Sequence, residues 1–421
     1  MDDLIYDILF LILQLIDSPV FVVRAACTCK RWRRVIVDAA FLRRFRSVHA
    51  SSLVAGDYFN GSKLLPSLMG LGPRLMDRPS FVPAAAAASL SIDARHFSLD
   101  FLSTGGGGGA ADWIVFDSRG SLLLLYRMEH DGKNSSDGFP DIVVCEPSTR
   151  RHRRIPPPPY WKKLISCQYR GCYLVDGEAD IASGCIGMSN FRVLCVFQHY
   201  IIPQLDLCTG TAIFTVCSAG ADLSSSWRNE IPRLTVGSAV DGIDQNVYIE
   251  EMHDLGQAGG SWYFYMQGRN LIVLDGGTGE FSHSVLLPTL ENWDGAAFDL
   301  HVRSNKFCIA DGHDGEPRFL SVFDATMKVY ARPDSGEWTL EKSILLSEAT
   351  RSLPGYKDEF FSQPMNILTR GLGYVILSPK TLDKWLISVD LETMQVALAE
   401  EDMGTMVYRC EVPWPPVLNS A

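Results

Sequence analysis

Apolar residues recur at helical spacing from the start of the chain. Leu4, Ile5, Ile8, Leu9, Ile12, Leu13 and Ile16 mark a first helix that is apolar almost all round. Asp17-Ser18-Pro19 then offers a capping residue and a proline at the first position of a second helix. Val23, Ala26, Cys27, Val35 and Ile36 fall roughly on one stripe of it, with Lys30, Arg31, Arg33 and Arg34 largely off that stripe. Asp38 restarts a third helix carrying Phe41, Leu42 and Phe45. The pattern predicts a three-helix bundle over residues 1–46. A bundle of about 40 residues cannot bury so much apolar surface alone. Either the rest of the chain or another protein must cover the first helix.

Residues 47–89 carry no sustained period and are rich in Gly, Pro and Ser, as in Gly70-Leu71-Gly72-Pro73; they read as a connector. Ala84–Ala88 and Gly105–Gly109 read as loop segments beside a strand-like Leu90–Leu102. From about residue 90 the texture is short β-type runs parted by turn residues. They are 113–116, 122–126, 142–145, 191–197, 212–216, 262–266, 271–274, 307–310, 319–323, 328–331, 373–377, 385–389 and 395–398. No long amphipathic helix interrupts them, so residues 90–421 are predicted to be all-β.

An acid-to-threonine pattern recurs where these runs end: Glu146-Pro147-Ser148-Thr149, Asp206-Leu207-Cys208-Thr209, Asp275-Gly276-Gly277-Thr278 and Asp390-Leu391-Glu392-Thr393, with a shorter Asp324-Ala325-Thr326. Asp and Thr suit such turns because their side chains bond backbone amides locally. The spacing fits four-stranded propeller blades with loop insertions, six or seven of them. A β-sandwich pair and a β-solenoid are the competing architectures. The fold class expected is thus α+β and multidomain, a small helical bundle followed by a large β-propeller-like domain.

The net charge of −11 argues against nucleic acid as a partner of the whole surface. Residues 1–50 hold eight Lys/Arg against five Asp/Glu, which leaves 30 basic and 44 acidic residues elsewhere. The two parts differ in electrostatic character, as separate modules do. Asp2, Asp3, Asp7 and Gln14 fit neither a signal peptide nor a membrane span. Eleven cysteines at irregular spacing read as buried thiols of a reducing compartment, cytoplasmic or nuclear.

Candidate chemistry is sparse. Cys27 and Cys29 lack the second pair a zinc site needs and read as buried thiols. Arg150-Arg151-His152-Arg153-Arg154, followed by Pro156–Pro159, reads as a nuclear-import or nucleic-acid patch, a polyproline docking segment or, preferably, a solvated hairpin. Asp311-Gly312-His313-Asp314-Gly315-Glu316 lacks the ligand spacing of a calcium loop and reads as a hairpin turn. Gly105–Gly109 has no Lys-Ser/Thr after it, so it is no phosphate loop. Asn134-Ser135-Ser136 is a glycosylation triplet expected to be unused. Nucleophile elbow, metal-binding helix and paired carboxylates are all missing, so no catalytic residue, metal or cofactor is expected, although a triad assembled in three dimensions would leave no local signature.

The run Leu4–Pro19 aligns without gaps on the F-box pattern L-P-x-D/E-L-L-x-E-I-L-x-R-L-x-S-P. Arg24-Ala25-Ala26-Cys27-Thr28-Cys29-Lys30-Arg31-Trp32-Arg33-Arg34 and Asp38–Phe45 resemble the continuation of that pattern. The match covers about a tenth of the chain. The remainder is similar to the β-propeller-like regions of the large plant F-box families, through Trp113–Gly120, Cys145–Pro159 and Glu411–Pro416. The resemblance implies a non-enzymatic substrate receptor of a ubiquitin ligase. Its helices would bind a Skp-type adaptor, and through it a cullin scaffold, while the β domain recruits a protein target. It places adaptor contacts at Leu4, Ile5, Ile8, Leu9, Ile12, Leu13, Ile16, Val23, Cys29 and Trp32, and predicts neither a nucleic-acid nor a membrane partner. Glu129–Pro140 and Ala219–Arg233 are the inserts offered as target-reading loops. The chain departs from the pattern at Ile5 (usually Pro), Leu11 (usually Glu) and Leu15 (usually Arg). Those changes also suit a scaffold or ligand-binding propeller with a degenerate F-box, and an enzyme on a propeller is the third reading.

Overall fold

A computed structural model of the chain describes residues 2–49, 53–60, 79–84, 93–102, 113–127, 139–159, 161, 168–175, 186–201, 206–219, 222–228, 234–235, 253–266, 270–276, 278–287, 306–323, 325–332, 336–363, 365–371, 373–379, 385–399 and 407–413. Four helices come first: α1 (Asp2–Gln14), α2 (Pro19–Thr28), α3 (Lys30–Ile36) and α4 (Ala39–His49). The second predicted helix is therefore two. Cys29 breaks it in extended conformation, φ −157° and ψ 159°, and its Sγ accepts the Trp32 N–H at 3.5 Å as the cap of α3. Asp38 caps α4 as expected, its Oδ1 accepting from the Ala40 and Phe41 amides at 2.9 and 3.3 Å.

The strands then form six antiparallel sheets, the blades of a six-bladed β-propeller. The first contains β1 (Val54–Phe59) and β2 (Ser80–Pro83), from a stretch that read as connector. The second is β3 (Trp113–Arg119), β4 (Leu122–Arg127), β5 (Asp141–Glu146) and β6 (Arg151–Ile155). The third holds β7 (Gln168–Val175), β8 (Arg192–Ile201), β9 (Asp206–Ala219) and β10 (Asp222–Arg228), with β11 (Leu234–Thr235) beside β9. The fourth is β12 (His253–Ala258), β13 (Ser261–Met266), β14 (Asn270–Asp275) and β15 (Phe281–Leu286). The fifth is β16 (Phe307–Asp311), β17 (Pro317–Phe323), β18 (Thr326–Ala331) and β19 (Thr339–Leu345). The sixth is β20 (Asn366–Gly371), β21 (Tyr374–Ser378), β22 (Ile387–Asp390) and β23 (Val396–Leu398). Last, β24 (Val407–Glu411) returns to pair with β1 and complete the first sheet in the order β2-β1-β24. The segment read as strand-like at 90–102 is instead two 3-10 turns among its described residues, Ala94–Phe97 and Asp100–Leu102.

The molecule divides into two compact units, residues 1–200, 210–231 and 408–421 in one, 201–209 and 232–407 in the other. In the first, strand alternation feeds two cores at once. Leu123, Leu125, Val143 and Cys145 face Ala55, Tyr58 and Cys410, while Leu122, Leu124, Ile142 and Val144 face Val193, Cys195 and Phe197. The second unit repeats the device. Ile309 and Phe319 pack with Tyr263, Tyr265 and Leu271, whereas Cys308, Leu320, Val322 and Val329 pack with Val375, Leu377, Ile387 and Val389. Sheets buried on both faces read as continuous apolar runs, which is why these strands were visible in the sequence.

Three of the acid-to-threonine turns occupy equivalent places, between third and fourth strands. Glu146, Asp275 and Asp390 each accept the threonine hydroxyl three residues on, at 2.6, 2.9 and 2.8 Å. The residue after each threonine (Arg150, Gly279, Met394) has a left-handed φ of 57°, 74° and 56°. The other two copies differ: Asp206–Thr209 opens the third strand of its sheet, β9, and Ala325-Thr326 lies at the β17–β18 turn, between second and third strands. Leu205 and Asp324 lie outside the described residues.

Candidate docking face on the helices

The helix bundle has its own core. Leu13, Val22, Ala26, Val35, Ile36, Phe41 and Phe45 are buried in it. Phe10 meets Phe41 edge-on at 5.5 Å, and His49 Nε2 lies 2.9 Å from the Gln14 carbonyl, tying α4 to the end of α1. Leu53 and Val412 join this cluster from the segments flanking β1 and β24. Arg46 on α4 pairs with Glu411 at 2.8 Å, and the Val412 amide donates to the Leu53 carbonyl at 2.8 Å. The bundle is thereby anchored on the first sheet by one of its sides.

A separate stripe of the helices is left uncovered. Ile8, Leu11 and Ile12 on α1 and Leu15 in the turn just after it are 50, 62, 54 and 82% exposed, at helical spacing. Phe21 at the start of α2 adds a ring 54% exposed, with the Arg24 guanidinium 5.5 Å above it. An apolar helix can satisfy its inner face against the bundle and still present a second apolar stripe. Asp7 and Asp17 stand exposed near its two ends, and Arg24, Lys30, Arg31 and Arg34 are exposed on α2 and α3.

Against this surface the residues expected to bind an adaptor separate into groups. Ile8 and Ile12 lie on the open stripe. Leu9, Ile16 and Trp32 are half-buried against the bundle core. Leu13, 1% exposed, belongs to the core and has no surface to offer a partner. The all-round apolar pattern hid which face turned inward. Leu4, Ile5 and Val23 are helical, with side chains outside the described residues. Cys29 is exposed, and so is Cys27, contrary to the expectation of buried thiols. The Trp32 amide and the neighbouring Arg31 hold the Cys29 thiol below its ordinary pKa. Leu11, Leu15 and Phe21 are further exposed apolar residues of this region and were not among the expected contacts. Their 8, 11/12, 15 spacing with Ile8 and Ile12 was the available signal.

Elsewhere the chemically suggestive runs are internally satisfied. Arg150, Arg151 and Arg154 pair with Asp100, Glu146 and Asp141 at 2.6, 2.8 and 3.1 Å, as in the solvated-hairpin reading of this run. Glu146 is buried, and Ser121 also donates to it at 2.9 Å. In the 311–316 loop, Asp314 accepts the Glu316 amide at 3.0 Å and binds Arg318 at 2.7 Å, a hairpin arrangement. Burial raises the Asp311 carboxyl, whose Oδ1 accepts the Gly259 amide at 2.8 Å. A cavity of about 240 Å³ beside it is lined by His313, Arg318, Glu341, Lys342 and Glu392. Its cations are already engaged, Arg318 by Glu341 at 2.7 Å and Lys342 by the Leu391 and Glu392 carbonyls. Among the described residues no group of three or more His, Cys, Asp and Glu is placed to hold a metal, and no helix is long and apolar enough to cross a membrane. Residues 105–109, 129–138, 134–136 and 229–233 lie outside the described residues; 222–228, within an expected insert, are strand β10.

No family model matches the chain, and no curated protein matches it. Among solved structures, a protein from Lactobacillus plantarum is 12% identical at a TM-score of 0.30, over 72% of this chain and 88% of its own. A hypothetical selenium-binding protein from Sulfolobus tokodaii is 9% identical at 0.28, over 85% and 91%. An exo-inulinase from Aspergillus awamori is 8% identical at 0.25, over 69% and 49%. Likenesses at TM-scores this low carry no weight for function.

Proposed function

We propose that the chain is a substrate receptor of a Skp–cullin–F-box ubiquitin ligase, its helices docking a Skp-type adaptor and its propeller recruiting a protein target. The observation that carries this reading is the open stripe Ile8, Leu11, Ile12 and Leu15, on a bundle already anchored by one side. Together with the F-box-like pattern of Leu4–Arg34, it describes a helical surface built to be covered by a neighbour. The chain contributes proximity rather than chemistry, holding a target near a conjugating enzyme bound elsewhere in the assembly.

The stripe residues test it, because they can change without disturbing the core. Co-expression with a Skp-type adaptor is expected to yield a stable complex. Ile12→Asp or Leu15→Asp should weaken that complex about a hundredfold, since a charge would be desolvated against an apolar partner. Circular dichroism of both variants should match the parent. Unchanged affinity in both variants would overturn the reading. A chain that stays monodisperse alone and ignores the adaptor would favour the scaffold instead.

A further inference from the structure

Four arginines crowd β6 and the turn before it, and three of them have carboxylate partners. Arg153 differs. Among the described residues its partner is a neutral one, the Ser225 hydroxyl, which accepts from Nη2 at 2.7 Å. Ser225 stands exposed in β10, the edge strand of the third sheet. Strand alternation turns Ser226 to the opposite face. The next residue on the face of Ser225 is Trp227, whose Nε1 donates to the Pro156 carbonyl at 3.2 Å, one residue beyond β6. Two contacts therefore hold this face of β10 along β6, with an otherwise uncompensated cation against one accessible serine.

We propose that Ser225 is a phosphorylation site whose phosphate is received by Arg153. A Ser/Thr protein kinase with bound ATP supplies the group. The Ser225 Oγ forms the new bond to the γ-phosphorus, the bridging bond to ADP breaks, and the hydroxyl proton passes to the kinase's base. The product carries close to two negative charges where a neutral hydroxyl stood. A weak contact becomes a charge-assisted pair that a guanidinium can grip with two parallel bonds. Arg153 already lies at the site, so the modification clasps the outer strands of the second and third sheets without rearranging either. The inference is independent of adaptor docking, which involves the helices alone.

Two measurements on the full-length chain decide it. Incubated with ATP and an extract of eukaryotic cells, the chain should carry phosphate on Ser225 by tandem mass spectrometry. Phosphate confined to Ser224 or Ser226, or none within 222–228, overturns the assignment. Chain produced with phosphoserine encoded at position 225 should melt about 2 °C or more above the unmodified chain, and Arg153→Gln should abolish that rise. No rise in the parent, or an equal rise in Arg153→Gln, shows that Arg153 is not the receiver.

Discussion

Residues 8–15 and 150–154 both stand out in the sequence, one as an apolar run and one as a basic run, and the fold treats them oppositely. The basic run lies on an outer strand where Asp100, Glu146 and Asp141 meet three of its four arginines. The apolar run leaves an outward stripe in which Ile8, Leu11, Ile12 and Leu15 stay 50–82% exposed. A charged edge can be neutralised within the chain by single side chains reaching across. An apolar stripe needs a complementary surface, and a four-helix bundle anchored by one side cannot supply a second. Unsatisfied surface, rather than unusual composition, separates a docking site from decoration.

The comparison breaks most easily from inside the bundle. Phe41 is fully buried and contacts the rings of Phe10 and Phe45. Phe41→Ala should destabilise the helices by about 3–5 kcal/mol. Denaturant titration followed in the helical circular-dichroism band measures this, and adaptor binding should fall with helix content. A loss under about 1 kcal/mol would mean that the stripe is held in place by something other than this core.

The basic side breaks at its buried carboxylate. Glu146 takes Ser121 and Thr149 hydroxyls and the Arg151 guanidinium. Glu146→Gln keeps the size but turns one acceptor into a donor facing donors. It should cost about 2 kcal/mol in the same titration, and it adds one unit of positive charge to an edge otherwise nearly neutral. Weak heparin retention appearing only in this variant would sharpen the contrast, because it would show that neutralisation is what keeps the edge inert.

Legibility followed burial. Thirteen apolar runs landed on strands, most of them well buried, as Leu122–Leu125 are, although 395–398 fell on the outer strand β23, which buries little. Other outer strands were missed because solvent on one side removes the signal: Arg151–Ile155 and Thr339–Leu345 each bury little. β1 and β2 were missed because their third partner, β24, comes more than 300 residues later in the chain. The turn repeat was legible because it is local chemistry, a side chain bonding a residue three places on. On the helices the first helix was plain but its inner face was not. With apolar residues all round, only tertiary packing could decide that Leu13 turns in and Leu15 turns out. Cys29 broke a helix that periodicity alone would have carried through.

The smallest expected effect sits at another copy of the same turn. Asp390 accepts the Thr393 amide and hydroxyl at 2.7 and 2.8 Å, and its Oδ2 lies 3.0 Å from His313 Nε2. The imidazole fits there because residue 373 is glycine, where a Cβ would lie 2.4 Å from His313 Nε2. The Thr393 amide, the Thr393 hydroxyl and His313 together hold the Asp390 carboxyl down to about 2. An unfolded aspartate titrates near ~3.9. The folded group is the stronger acid, so its contribution is fully present above about pH 4 and is lost as pH falls towards 2. The Asp390 side chain is 36% exposed, so solvent screens much of that contribution. Asp390→Asn should lower the melting temperature slightly at pH 5, with the gap to the parent closing as the solution is acidified towards pH 2. Glu146→Gln should keep a much larger gap throughout the neutral range, because its carboxylate is buried and that of Asp390 is partly open to water. Equal gaps for the two variants would mean that burial does not set the worth of this turn.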